Sequence, residues 1–165
     1  MIQQINFNPE FFETNFIKQF TFNIDMLNYR LNRMWEIDTM QKDNQQEYLM
    51  VFDATIVLFR AMFLENGSHK KNYTFQNFFR LTGRDEVAGQ IDSFLNSPFT
   101  SYCDKSIRDV LKFIADKFVC HVDCVEDTDL GLCNVWMGNL SNPYFANNFR
   151  HIMDSIEKII NSEIH

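Results

Sequence analysis

SYCDKSIRDVLKFIADKFVCHVD, residues 101–123, has the clearest amphipathic period in this chain and ends in a chemically mixed cluster. The spacing predicts a helix over residues 101–122, capped near Ser101 or Asp104. Ile107, Val110, Leu111, Ile114 and Phe118 form its apolar stripe, and Lys105, Arg108, Asp109, Lys112 and Asp116 face away. Counted at the same period, His121 falls on the apolar side. That places an ionisable imidazole at the helix C-terminus beside the core.

Moving outward, the other segments read as helices of the same kind. Asn8-Pro9 supplies a cap and a first-turn proline, and Phe16, Phe20, Ile24, Leu27, Leu31 and Met34 then recur at spacings of four and three. Trp35 and Ile37 extend this side toward Met40. The polar run Gln41–Gln46 reads as a connection, and Glu47–Glu65 as a second helix, apolar nearly all round, ending at Asn66-Gly67. Asp53 and Arg60 interrupt it on one face and call for charged partners, either each other or groups on neighbouring helices.

Beyond a polar loop containing His69, Lys70 and Lys71, Thr74 caps a short helix with Phe75, Phe78 and Phe79 inward, and Gly83 ends it. Asp85 opens a further helix carrying Val87, Ile91, Phe94 and Leu95, which Asn96-Ser97-Pro98 stops. Residues 123–142 read as an irregular crossing. Asn142-Pro143 then repeats the helix-start chemistry, and Phe145, Phe149, Ile152, Ile156, Ile159 and Ile160 give the last helix its buried face.

Composition agrees with this reading. Of the 165 residues, 45% are hydrophobic and 18 are Phe, enough to build a packed core, while five Gly and three Pro are too few to punctuate an all-β fold. The expectation is an all-α bundle of five or six helices forming one domain over residues 1–165. A net charge of −7 argues against nonspecific nucleic-acid binding over a broad basic surface. The polar segment after Met1 lacks the pattern of a secretory signal, and no stretch has the apolar length of a membrane span. A cytoplasmic protein with reduced thiols and no membrane partner is therefore expected.

Ala115–Asp123, ADKFVCHVD, resembles the helix-borne motif of the HEPN superfamily, a basic residue followed by apolar and small positions and then His-x-Asp. Phe59–Gly67, FRAMFLENG, is similar to an earlier helix of abortive-infection-type members. The resemblance implies an all-helical protein of a bacterial defence or toxin–antitoxin system. Many such proteins are metal-independent ribonucleases in which an Arg and a His meet across a homodimer interface at the scissile phosphate. RNA is then the implied substrate and no cofactor is required. Here no Arg stands at the motif's usual distance before His121, and Lys117 lies one helical turn ahead of it. The candidate catalytic set is His121 as general acid or base, Lys117 or Arg60 as charge stabiliser, and Asp123 as the group orienting the imidazole.

Two other readings stand beside this one. His121 is also explained as a helix-end residue bonded to the last carbonyls or to Asp123, in a noncatalytic helical module that binds a protein partner. Cys120, His121, Asp123, Cys124 and Cys133 invite a zinc site. Their spacing matches no common structural pattern, so no metal is expected.

Overall fold

α1 (Pro9–Glu36) begins at the proline, whose missing N–H costs nothing in a first turn. The computed structural model describes residues 9–37, 40–65, 74–99, 104–120 and 144–164. Ile24, Leu27, Leu31 and Met34 form the buried seam of α1, and Ile37 follows it. The proposed cap Asn8 and the side chains of Phe16 and Phe20 lie outside the described residues. Trp35 departs from expectation: it is 53% exposed, because its position lies about 100° round the helix from Met34 and leaves the seam.

α2 (Lys42–Phe59) starts earlier than the polar run suggested. Lys42, Gln45 and Gln46 are good helix formers, and Asp43 sits favourably in the first turn, so residues 42–46 extend the helix rather than connect to it. Tyr48, Phe52, Thr55, Ile56 and Phe59 are buried, and the Thr55 hydroxyl is satisfied by donating to the Val51 carbonyl at 2.7 Å. The helix is not enclosed on all sides, since Met50 and Val57 are exposed. At Arg60 it widens into a π-helical turn, Arg60–Leu64, marked by the bond from Glu65 N to the Arg60 carbonyl at 3.2 Å. The expected stop at Asn66-Gly67 lies outside the described residues.

α3 (Phe75–Leu81) is capped by Thr74, whose side chain accepts from Asn77 N at 3.3 Å, and it is closed near Gly83 at φ +78°, a conformation open to glycine. α4 (Asp85–Leu95) places Asp85 and Glu86 in its first turn and buries Val87, Ala88, Ile91 and Leu95.

α5 (Ile107–Ile114) starts later than the sequence predicted. Asp104 and Lys105 are not helical. The chain there is tied back to the end of α4 by Phe99 N to the Lys105 carbonyl at 3.0 Å and Ile107 N to the Ser97 carbonyl at 2.9 Å. Ser106 is therefore the cap, its hydroxyl accepting from Asp109 N at 3.0 Å. Four of the five predicted stripe residues, Ile107, Val110, Leu111 and Ile114, are buried, and the side chain of Phe118 lies outside the described residues. The helix then passes into a second π-helical turn, Ala115–Cys120. α6 (Tyr144–Ile164) buries Phe149, Ile152, Met153, Ile156 and Ile160.

These six helices form an all-α bundle with no strand among the described residues. α1 packs on α2, α3 on α4, and α6 on both α1 and α4. A chain of rings joins the elements: Phe59 meets Phe63 at 4.9 Å and Phe149 at 4.8 Å between centroids, and Phe63 stacks on Phe75 at 4.9 Å. No described helix is long and apolar enough to cross a membrane.

Candidate functional site

The second π-helical turn packs against α2, and this contact brings two of the sequence-predicted site residues into one neighbourhood. Arg60, opening the first π turn, sets its Nη2 at 2.9 Å from Asp116 Oδ1 and its Nε at 3.4 Å from Glu65 Oε1. Asp116 precedes Lys117, which is half-buried in the second π turn. The guanidinium thus stands beside the segment that carries Lys117 and leads to His121. Its resting partners are carboxylates, which neutralise much of its charge; the Asp116 contact is an ion pair by distance, and Asp116 Oδ1 accepts no hydrogen bond among the described residues.

His121 and Asp123 lie outside the described residues, as do Cys124 and Cys133 and the His69–Lys71 stretch. Arg60 does not pair with Asp53, one of the two options that their shared face allowed. Asp53 has no ion-pair partner among the described residues, and burial raises its carboxyl above the ordinary range. No group of three metal-ligating side chains comes together among the described residues.

A second polar cluster was not foreseen. Asp92 of α4 receives Arg108 Nη2 from α5 on Oδ1 at 2.6 Å and pairs through Oδ2 with Arg80 of α3. One carboxylate therefore ties three helices. Gln76 lies beside it at 2% exposure, donating from Nε2 to the Phe63 carbonyl at 2.8 Å and reaching Asp92 Oδ1 at 3.4 Å. Asn96 accepts from Arg108 Nε at 3.2 Å. These residues, with Thr74 and Glu65, line a cavity of about 440 Å³.

The sequence held one usable signal for this cluster. Asp92 is four residues after Ala88 and next to Ile91, so it stands at the edge of a buried stripe and needs a partner. The partners come from helices 12 and 16 residues away in sequence, and periodicity within α4 does not reveal them.

Chemically, the two clusters differ. Arg60, Asp116 and Lys117 offer positive charge beside a segment ending at an imidazole. The Asp92 cluster offers donors and acceptors around a half-open cleft. No protein-family model, curated protein or solved structure matches this chain.

Proposed function

We propose that this protein is a HEPN-like, metal-independent endoribonuclease of a bacterial defence or toxin–antitoxin system. The observation that supports this reading is the contact between Arg60 and Asp116, which holds an arginine beside the turn containing Lys117. The motif lacks its own Arg ahead of His121, and Arg60 supplies that chemistry from a different helix.

In this reading the RNA phosphate competes with Asp116 and Glu65 for the Arg60 guanidinium, and Lys117 adds a point charge. His121 of one chain accepts the proton of the attacking 2′-hydroxyl as that oxygen bonds to phosphorus. The protonated His121 of a second chain gives its proton to the departing 5′-oxygen as the old bond breaks. A homodimer follows, because one imidazole does not hold both proton states at once. Asp123 orients the ring.

The test is cleavage of single-stranded and structured RNAs by the purified chain. His121→Ala abolishes cleavage with circular dichroism unchanged, Lys117→Ala and Arg60→Ala weaken it, and chelator has no effect. Cleavage that survives His121→Ala overturns the mechanism, as does a strict monomer by light scattering at high concentration.

A second reading, a noncatalytic interaction module, is favoured by a different observation. Met50 and Val57 lie seven apart on the outer face of α2, 73% and 43% exposed, with Ala54 exposed between them. Under this reading Met50→Lys removes partner capture in a pull-down, and His121→Ala leaves it intact.

A further inference from the structure

The cavity between α3, α4 and α5 has hydrogen-bonding capacity that its own walls do not use. Arg108 commits Nη2 to Asp92 and Nε to Asn96, leaving Nη1 with no partner among the described residues. Arg80 commits Nη2 to Asp92 and sets Nη1 at 3.4 Å from Asn77 Oδ1, and its Nε is likewise uncommitted among the described residues. On the acceptor side, the Asp92 and Glu65 carboxylates face the space, whereas Gln76 Oε1, buried without a hydrogen-bond partner among the described residues, has almost no accessible surface and lies behind the wall.

Charge decides what kind of ligand would use these groups. Arg80 and Arg108 contribute two positive charges to the lining, and Asp92 and Glu65 contribute two negative ones, Glu65 sharing its charge with Arg60 at 3.4 Å behind it. A phosphate dianion gains from the guanidiniums but is repelled by both carboxylates, and a simple cation meets the reverse. A ligand bearing both signs complements the wall as it stands. A planar carboxylate matches the guanidinium fork better than it matches a point charge, and an ammonium brings three donors for Asp92 and Glu65. A volume of about 440 Å³ is within the range of small-molecule sites and exceeds what a single water or ion needs.

We infer that this cavity binds a free α-amino acid, its carboxylate received by Arg80 and Arg108 and its ammonium by Asp92 and Glu65. The inference does not depend on ribonuclease activity, since only Glu65 touches the proposed catalytic set, through its ion pair with Arg60.

Thermal melting of the full chain tests it, with the standard L-amino acids as probes and titration calorimetry on those that act. At least one raises the melting midpoint saturably with concentration. Blocking either charge of that same amino acid, as its N-acetyl derivative or its methyl ester, weakens binding about tenfold or more, the loss of one charge-assisted contact. Arg108→Lys, which keeps the charge and removes the fork, weakens it by a similar factor. If Arg108→Lys fails to fold, Arg80→Lys, nearer the rim, gives the same readout. The inference is overturned if no amino acid shifts the midpoint, if the blocked forms bind as well as the free one, or if inorganic phosphate binds more tightly than any amino acid. Wild-type affinity in both lysine variants overturns it as well.

Discussion

Arg60 Nη2 lies 2.9 Å from Asp116 Oδ1, joining the first π-helical turn to the second. Both side chains are half-buried, so solvent screens the pair and its net worth is modest. A double-mutant cycle with Arg60→Met and Asp116→Asn should give a coupling of about 1 kcal/mol in urea melts. A coupling near zero would show that the carboxylate does not hold the guanidinium.

Asp92 carries more of the fold. Replacing it with Asn leaves Arg80 and Arg108 side by side without their shared counter-charge. The expected loss is about 2 kcal/mol, below that for a fully buried pair because the groups keep some solvent contact. Added salt should recover part of it by screening the two guanidiniums. Equal loss at low and high salt would point to packing instead.

Tyr48 is 1% exposed, its hydroxyl has no hydrogen-bond partner among the described residues, and burial pushes its pKa up to about 12. Tyr48→Phe removes the unsatisfied hydroxyl and keeps the ring. Stability should rise by about 1 kcal/mol at neutral pH. The pH dependence has a definite sign: the folded state holds this proton more tightly than the unfolded chain, so the wild type loses stability as pH rises from about 10 toward about 12. Tyr48→Phe should lack that loss.

Asp53 follows the same sign at the acid end. Its raised carboxyl, caused by desolvation, binds a proton more readily in the folded state. Its contribution to stability is greatest at low pH and falls as pH climbs from the ordinary carboxylate value through the raised one. Asp53→Asn should therefore be more stable than wild type at pH 7, with the difference shrinking on acidification. A difference that grows as pH falls would reverse the assignment.

The bundle itself was legible in the sequence because its signals are local. The Thr74 start, the Asn96 stop and the stripes of α1, α4, α5 and α6 depend on residues a turn or two apart, and among the described residues each appears where it was expected, while the expected Asn142-Pro143 start lies outside them. The errors arose where another segment decided the outcome or where the local signal was ambiguous. The late start of α5 comes from backbone bonds to Ser97 and Phe99, and the early start of α2 from residues that suit a helix as well as a loop. The outward face of α2 came from reading an apolar run as evidence of enclosure. For the candidate site, sequence reasoning identified Arg60 and Lys117 without showing that Asp116 connects their two turns. It missed the Asp92 cluster, which exists only once three helices have docked.

The two π-helical turns have a consequence for how this chain is lined up against others. Such a turn adds a residue to a helix without interrupting the backbone, so the side chains that follow its opening are re-aimed, by about 100° in all, relative to an uninterrupted α-helix. Fixed residue spacings counted from within α2 or α5 hold up to Arg60 and Ala115 and slip inside the turns that begin there. A counterpart lacking the first widening would reach the extended residue at the position of Glu65 with one residue fewer. Its alignment to this chain should place a single-residue gap in the last turn of that helix, at residues 60–64, and a counterpart lacking the second should place one at residues 115–120.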